Sequence, residues 1–163
     1  TISAASWLFF TWLAGYWSDK IGRRNIYLIG WIVQFIGVFA LFPLVNIGTW
    51  QSVLSALCLL SVGIGLTYGA QSAFYAELFP ASIRFSGVSI SYAIGAIIGG
   101  AFAPMIAKWL IAATGSTESV VVYLTIMTGL GLISTLLLKD RSRIPLGPDH
   151  EELQLQSPIY GRK

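Results

Sequence analysis

Charge is scarce in this sequence. Of its 163 residues, 10 are Lys or Arg and 7 are Asp or Glu, so charged side chains make up 10% of the chain. A soluble domain carries roughly 25%. With 55% hydrophobic residues and a mean hydropathy of +0.73, a water-soluble globular domain is excluded. The aromatic share of 13% and the apolar content exclude a disordered chain as well. A single cysteine, Cys58, and a single histidine, His150, rule out a disulfide framework and any Cys/His zinc site within the chain. No metal and no cofactor are expected. No acid pair, Ser–His set or metal cluster occurs within the apolar runs, so an intramembrane enzyme is excluded too. The net charge of +3 comes from bases gathered in short segments, not spread over a face, which argues against nucleic acid. The chain opens at Thr1 with an apolar run already under way, and no signal peptide is expected in it. It is expected to be a piece of something longer.

What is present is a set of long uncharged tracts. No Asp, Glu, Lys or Arg occurs from Asn25 to Ala76, from Phe85 to Ala107, or from Ser119 to Leu138. A spanning helix needs about 20 apolar residues, so the first tract holds two. Pro43, Asn46, Gly48 and Thr49 supply the turn between them. The tracts predict helices over 26–44, 51–76, 87–110 and 119–138, with 2–16 as the end of another. Only helices and closed barrels satisfy their backbone in lipid, and the period-2 alternation of a barrel is missing. The fold class is therefore all-α, a polytopic membrane helix bundle over 1–138. The polar segment 139–163, with Pro145, Pro148 and Pro158, reads as a disordered tail.

The bases give the orientation. Lys20, Arg23 and Arg24 lie between the first and second helices, Arg84 between the third and fourth, and Lys139, Arg141 and Arg143 after the fifth. The segments 45–50 and 111–118 contain no Lys or Arg. This is a positive-inside pattern, which predicts a multi-pass protein of the cell membrane with its C-terminus in the cytoplasm. Trp50 and Trp109 then fall at the outer interface and Trp17 at the inner one. Lys108, near the outer end of the fourth helix, has two readings: snorkelling to the surface, or a substrate or gate contact.

Two charged segments stand out. The first is Gly15-Tyr-Trp-Ser-Asp19-Lys20-Ile-Gly22-Arg23-Arg24. Gly22 permits a sharp turn with positive φ. Asp19, a lone acid among bases, either pairs with Arg23 or caps a helix start. The second is Tyr75-Ala-Glu77-Leu-Phe-Pro80-Ala-Ser-Ile-Arg84-Phe-Ser-Gly87. Pro80 ends the helix and leaves Glu77 and Arg84 close across a short loop. A pair there is either a structural staple or a latch that opens and reforms.

Small residues recur every four positions: Ser61, Gly65, Gly69 and Ala73 in the third helix, and Gly87, Ser91, Gly95, Gly99, Ala103 and Ala107 in the fourth. Such stripes let helices approach closely in lipid, either for simple packing or as faces that slide. Pro104 frees the carbonyl of Gly100, next to Gly99, and this combination predicts a hinge. Pro104→Ala is expected to change the transport rate and the spin-label distances across the fourth helix. Unchanged values would dismiss the hinge. Polar residues inside the tracts are few: Ser6, Gln34, Thr67, Gln71, Ser89 and Tyr92.

The spacing Gly-x-x-x-Asp-Lys-x-Gly-Arg-Arg at Gly15–Arg24 resembles the signature loop of the major facilitator superfamily, which recurs between helices two and three and between eight and nine. Every signature position is filled. The run Ala-Glu77-Leu-Phe-Pro80 with Arg84 and Gly87 is similar to that superfamily's loop between helices ten and eleven. With Tyr68-Gly-Ala-Gln71 before it and Ala93-Ile-Gly95-Ala-Ile-Ile-Gly99-Gly100 after it, the chain most resembles the metabolite–proton symporters, with sugar porters sharing a looser form. The resemblance implies part of the C-terminal six-helix half of a twelve-helix transporter, from the end of helix eight through helix twelve. It implies proton-coupled uptake of a small carboxylate, betaine or related metabolite by alternating access. Asp19 and Arg23, supported by Arg24, would form an inner gate latch, with Glu77, Pro80 and Arg84 as a second. Helices ten and eleven line the path in that family, so Thr67, Gln71 and Tyr92 are candidate contacts. Hydrogen bonding between helices accounts for them equally well. The implied partners are the bilayer, the substrate, protons and the missing N-terminal helices. No ionisable residue lies mid-span, so the proton-coupling group is expected outside this chain. A truncated, non-transporting membrane protein is the alternative from another class.

Overall fold

The computed structural model describes residues 2–160, and no strand occurs among them. Thr1 and residues 161–163, the last of which belong to the tail read from the sequence, lie outside the described residues. The helices are α1 (Ile2–Ile21), α2 (Arg23–Asn46), α3 (Trp50–Leu78), α4 (Arg84–Gly95), α5 (Ala103–Thr114), α6 (Glu118–Leu137) and the short α7 (Glu151–Gln156). A π-helical segment, Ala96–Ala101, joins α4 to α5. Four stretches are long and apolar enough to cross a bilayer: Arg23–Asn46, Trp50–Leu78, Arg84–Thr114 and Glu118–Leu137. This is an all-α, polytopic membrane helix bundle, as the uncharged tracts indicate.

Glycine sets the corners. Gly22 has φ 104 and is the one residue between α1 and α2, so Asp19 and Lys20 sit on helix and not in a loop. Gly48, with φ 71, turns the chain before Thr49, whose side chain accepts from the Ser52 N–H and caps α3. Gly115, with φ 66, ends α5.

The core lies where α3 is clasped by α1 and α2. Ala14, Ile26, Tyr27, Leu66, Ala70 and Phe74 form its buried cluster. The small residues of α3 do what their spacing predicts on this side. A Cβ on Gly65 would lie 2.8 Å from the Phe10 Cβ, and one on Gly69 would lie 2.7 Å from the Ala14 Cβ; Gly63, outside the stripe, meets the Gln34 Cα at 2.7 Å in the same way. Close backbone approach of this kind replaces the hydrophobic drive that helices lack in lipid.

The fourth spanning stretch behaves differently. None of the residues of α4, the π segment or α5 is buried. Nothing lies within 4 Å of a Cβ built on Gly95, Gly99 or Gly100. Pro104, in α5, cannot donate to the Gly100 carbonyl, and the helix widens just before it at Ala96–Ala101, over Gly99 and Gly100. A π turn inserted in a helix is a recurrent feature of functional sites.

The tail differs from its expected disorder. Residues 139–157 fold back under the α3–α4 connection through a tight turn at Pro148–His150 and then α7. Its composition is polar, but two polar side chains hold it by backbone bonds. Arg141 donates to the Leu78 carbonyl at 3.0 Å and also to the Gln154 carbonyl. Gln154 accepts from the Ala81 N–H at 2.9 Å and donates to the Pro145 and Gly147 carbonyls at 2.6 and 3.0 Å. Both residues are buried. Beyond them Lys139 N–H donates to the Ile159 carbonyl at 2.9 Å.

Candidate functional site

The charged residues gather at one end of the bundle. Arg23, the first residue of α2, donates from Nη1 to Glu77 Oε1 at 2.7 Å. The Glu77 side chain is 2% exposed and Arg23 27%. Asp19 lies one turn before Arg23 on the α1 side, 3.4 Å away, and its side chain is 70% exposed. The sequence reading of Asp19 as a partner for Arg23 therefore holds in geometry, but Glu77 is the closer and buried partner. Antiparallel α2 and α3 explain this, since the start of one lies beside the end of the other.

Glu77 and Arg84, expected as a pair across the loop, do not meet in an ion pair. Arg84 instead donates from Nε to the Ala76 carbonyl at 2.8 Å, from Nη1 to the Leu146 carbonyl at 2.8 Å and from Nη2 to Gln154 Oε1 at 3.2 Å. It clamps the loop to the tail. Pro80 begins a turn closed by the Ile83 N–H on the Pro80 carbonyl at 3.3 Å. Arg24 donates to the Leu136 carbonyl at 3.0 Å and ties α2 to the end of α6. Lys20 turns to the ring of Tyr16, 4.3 Å from its centroid, and Gly15 lies within α1 with open space beside it. Arg141 is the residue that sequence reading missed here, having counted it only as one base of the tail. Burial pushes its guanidinium below the ordinary value and the Glu77 carboxylate pulls it back up. Glu77 Oε2 is buried with no hydrogen-bond partner among the described residues.

A second feature is a cavity of about 350 Å³ between α2, α3 and α4, lined by Thr67, Gln71 and Tyr92 together with residues that include Trp31, Gln34 and Tyr68. All the path residues read from the sequence thus reach one space. Their bonding is unequal. Thr67 Oγ1 donates to the backbone of its own helix, at 2.9 Å to Ile64. The Tyr92 and Tyr68 hydroxyls share a hydrogen bond of 2.9 Å between helices. Gln71 makes no side-chain bond to protein among the described residues. Trp31 carried no sequence signal, since a tryptophan in an apolar tract reads as packing. Gln34 did carry one, as a rare amide within a span.

The family model described as Major Facilitator Superfamily matches residues 1–160. The chain belongs to that superfamily. It is 38% identical over 126 residues to the inner membrane metabolite transport protein YhjE of Escherichia coli (strain K12), covering 77% of this chain and 28% of that protein. It is 30% identical over 136 residues to the shikimate transporter of the same organism, covering 82% and 30%. It is 31% identical over 140 residues to the citrate-proton symporter of Klebsiella pneumoniae, covering 84% and 32%. The chain therefore spans about a third or less of the length of these relatives. They are named as transporters, not enzymes. No solved structure matches significantly. Superfamily membership and the four apolar stretches make this part of a multi-pass membrane protein.

Proposed function

We propose that this superfamily chain is the C-terminal part of a secondary active transporter. It takes up a small metabolite of carboxylate or betaine type, driven by protons, through alternating access. The observation that carries this reading is the buried Arg23–Glu77 bond at 2.7 Å at the signature loop. Beside it, Asp19 lies 3.4 Å from Arg23 with its side chain 70% exposed, open to a partner from another part of the protein. The basic end faces the cytoplasm by the positive-inside rule. The missing helices complete the path and carry the proton-coupling group, since the tracts here contain no ionisable residue deep in the span.

In this reading Arg23 and Glu77 form the fixed half of the latch and Asp19 the moving half. Arg84 holds the adjoining loop to the tail, and Pro80 begins the turn that shapes that loop. The π segment with Gly99 and Gly100, followed by Pro104 in α5, is where α4 and α5 flex. Sugar uptake is the second reading, favoured by the absence of charge around the cavity, and it predicts competition by hexoses and weak competition by carboxylates.

The experiment is uptake into proteoliposomes by the full-length protein under an imposed proton gradient. Accumulation that collapses with a protonophore supports the reading, and gradient-independent or absent uptake rejects it. In the same preparation Asp19→Asn is expected to shift the resting population toward inward-facing and to reduce uptake, with expression preserved. Cysteine probes at the cytoplasmic end report the shift, and unchanged accessibility would remove Asp19 from the latch.

A further inference from the structure

The cavity between α2, α3 and α4 sorts its hydrogen-bonding groups into two sets. One set is closed. The Tyr68 and Tyr92 hydroxyls hold each other at 2.9 Å, the Tyr27 and Tyr75 hydroxyls lie 3.3 Å apart, and Thr67 bonds its own backbone. The other set is open. Trp31 Nε1 is buried and makes no well-formed hydrogen bond among the described residues, the Tyr27 hydroxyl being its polar neighbour. The amides of Gln34 and Gln71 and the Ser91 hydroxyl also line the space without a protein bond among those residues. The open groups come from three helices. No Asp, Glu, Lys, Arg or His lines the cavity.

This balance selects a ligand chemistry. A buried N–H left unpaired costs about 1–3 kcal/mol, so the Trp31 indole calls for an acceptor oxygen. Each glutamine amide offers donors and an acceptor together. Hydroxyl groups, which both donate and accept, satisfy all of these at once. A carboxylate seated here would lose water without meeting a counter-charge. A quaternary ammonium would gain from the aromatic rings but would leave the indole and both amides unpaired, a mismatch that polar sites reject strongly. The rings of Tyr27, Trp31 and Tyr75 supply apolar surface for the carbon face of a ring. About 350 Å³ sits at the small end of ligand pockets, which start near roughly 300 Å³. The indole is held in place from behind, because a Cβ on Gly131 of α6 would lie 2.5 Å from the Trp31 Cζ2 atom.

We propose that this cavity binds the hydroxylated ring of a small metabolite, through Trp31 Nε1–H and the amides of Gln34 and Gln71. Any carboxylate of that ligand lies outside the cavity, against charge supplied elsewhere in the full-length protein. The assignment rests on the transporter reading above and names the substrate class within it.

The test is calorimetric binding to the full-length protein in nanodiscs, using shikimate and its hydroxyl-free counterpart, cyclohex-1-ene-1-carboxylate. Shikimate is expected to bind at least about tenfold more tightly, tenfold being 1.4 kcal/mol. Trp31→Phe removes the N–H together with the outer ring edge that meets Gly131. It and Gln34→Leu are each expected to weaken shikimate about tenfold while leaving the counterpart unchanged. Gln71→Leu is the substitute if either variant melts early. Equal affinity for the two compounds, no shikimate binding, or variants that bind it as the parent does would overturn the proposal. Tighter binding of glycine betaine or citrate, unaffected by the variants, would overturn it too. Uptake is read separately. Shikimate bound but not transported leaves the cavity assignment standing and removes the transporter reading. Gradient-driven uptake without preference for the hydroxylated compound does the reverse.

Discussion

Arg23→Ala is expected to lower the stability of the protein by about 3–5 kcal/mol, the usual cost of stripping one partner from a buried ion pair. Glu77 is 2% exposed at its side chain, and its bond to Arg23 is 2.7 Å. The other carboxylate oxygen is already without a hydrogen-bond partner among the described residues, so nothing adjacent is ready to replace the lost guanidinium. Arg141 contributes charge from nearby, but both its terminal nitrogens are engaged with the Leu78 and Gln154 carbonyls, and only its Nε is without a partner among the described residues. The cost falls if the acid is neutralised with the base. Arg23→Ala combined with Glu77→Gln is therefore expected to melt above Arg23→Ala alone. Asp19→Asn is the control on the same arginine. Its side chain is 70% exposed and 3.4 Å distant, an exposed contact worth about 0–1 kcal/mol. Thermal melts of the purified full-length protein in detergent check the order. An Arg23→Ala melt no lower than that of Asp19→Asn would show that the buried bond contributes little.

Gln154→Ala is expected to release the tail without unfolding the bundle. One buried amide serves the Ala81 N–H, the Arg84 guanidinium and the Pro145 and Gly147 carbonyls. Each buried polar group left unpaired costs about 1–3 kcal/mol, and the segment has little apolar burial to offset that loss. Water entering the loosened segment recovers part of it, so the effect is local opening. Trypsin is the probe. Arg143 is exposed while Arg141 is buried, and cleavage at Arg141 is expected to accelerate about tenfold or more, as a loss of about 1.4 kcal/mol of local stability requires. A Ser82→Cys/Glu151→Cys pair reports the docked state, since the Ser82 hydroxyl and the Glu151 carboxylate are in contact. A short bifunctional thiol cross-linker, which spans the reach of the lost glutamate, is expected to join the pair readily in the parent and poorly with Gln154→Ala. Equal cross-linking in both would show that the tail stays docked without this amide.

The helices were legible because lipid leaves one chemical option for long uncharged tracts, and the tracts are marked by the charges that bound them. Turns at Gly22 and Gly48 were legible for the same local reason, a glycine at a corner. Helix ends were shorter in the reading than in the structure: α1 runs through Asp19 to Ile21, and α3 runs to Leu78. Charged residues were taken as loop markers, yet helix continues beneath them. The pairing of Glu77 was not legible. Arg84 is the nearest base in the chain, but Arg23 is the nearest in space, 54 residues earlier. That distinction depends on how α2 and α3 lie together, which composition does not encode. The tail was misread for a related reason. Proline and polar content favour disorder when side chains bond only to water, whereas Arg141 and Gln154 bond to carbonyls and an amide of the folded chain.

The contact between the Trp31 indole and Gly131 has a mechanical outcome. α6 contributes no side chain to the cavity, yet its backbone is the backstop for the one indole there. A tilt or slide of that helix, from lipid thickness or from pull on the segment that follows it, displaces the indole and alters the shape of the void. For the ligand proposed above, affinity is expected to vary with bilayer composition through a glycine that no solute touches.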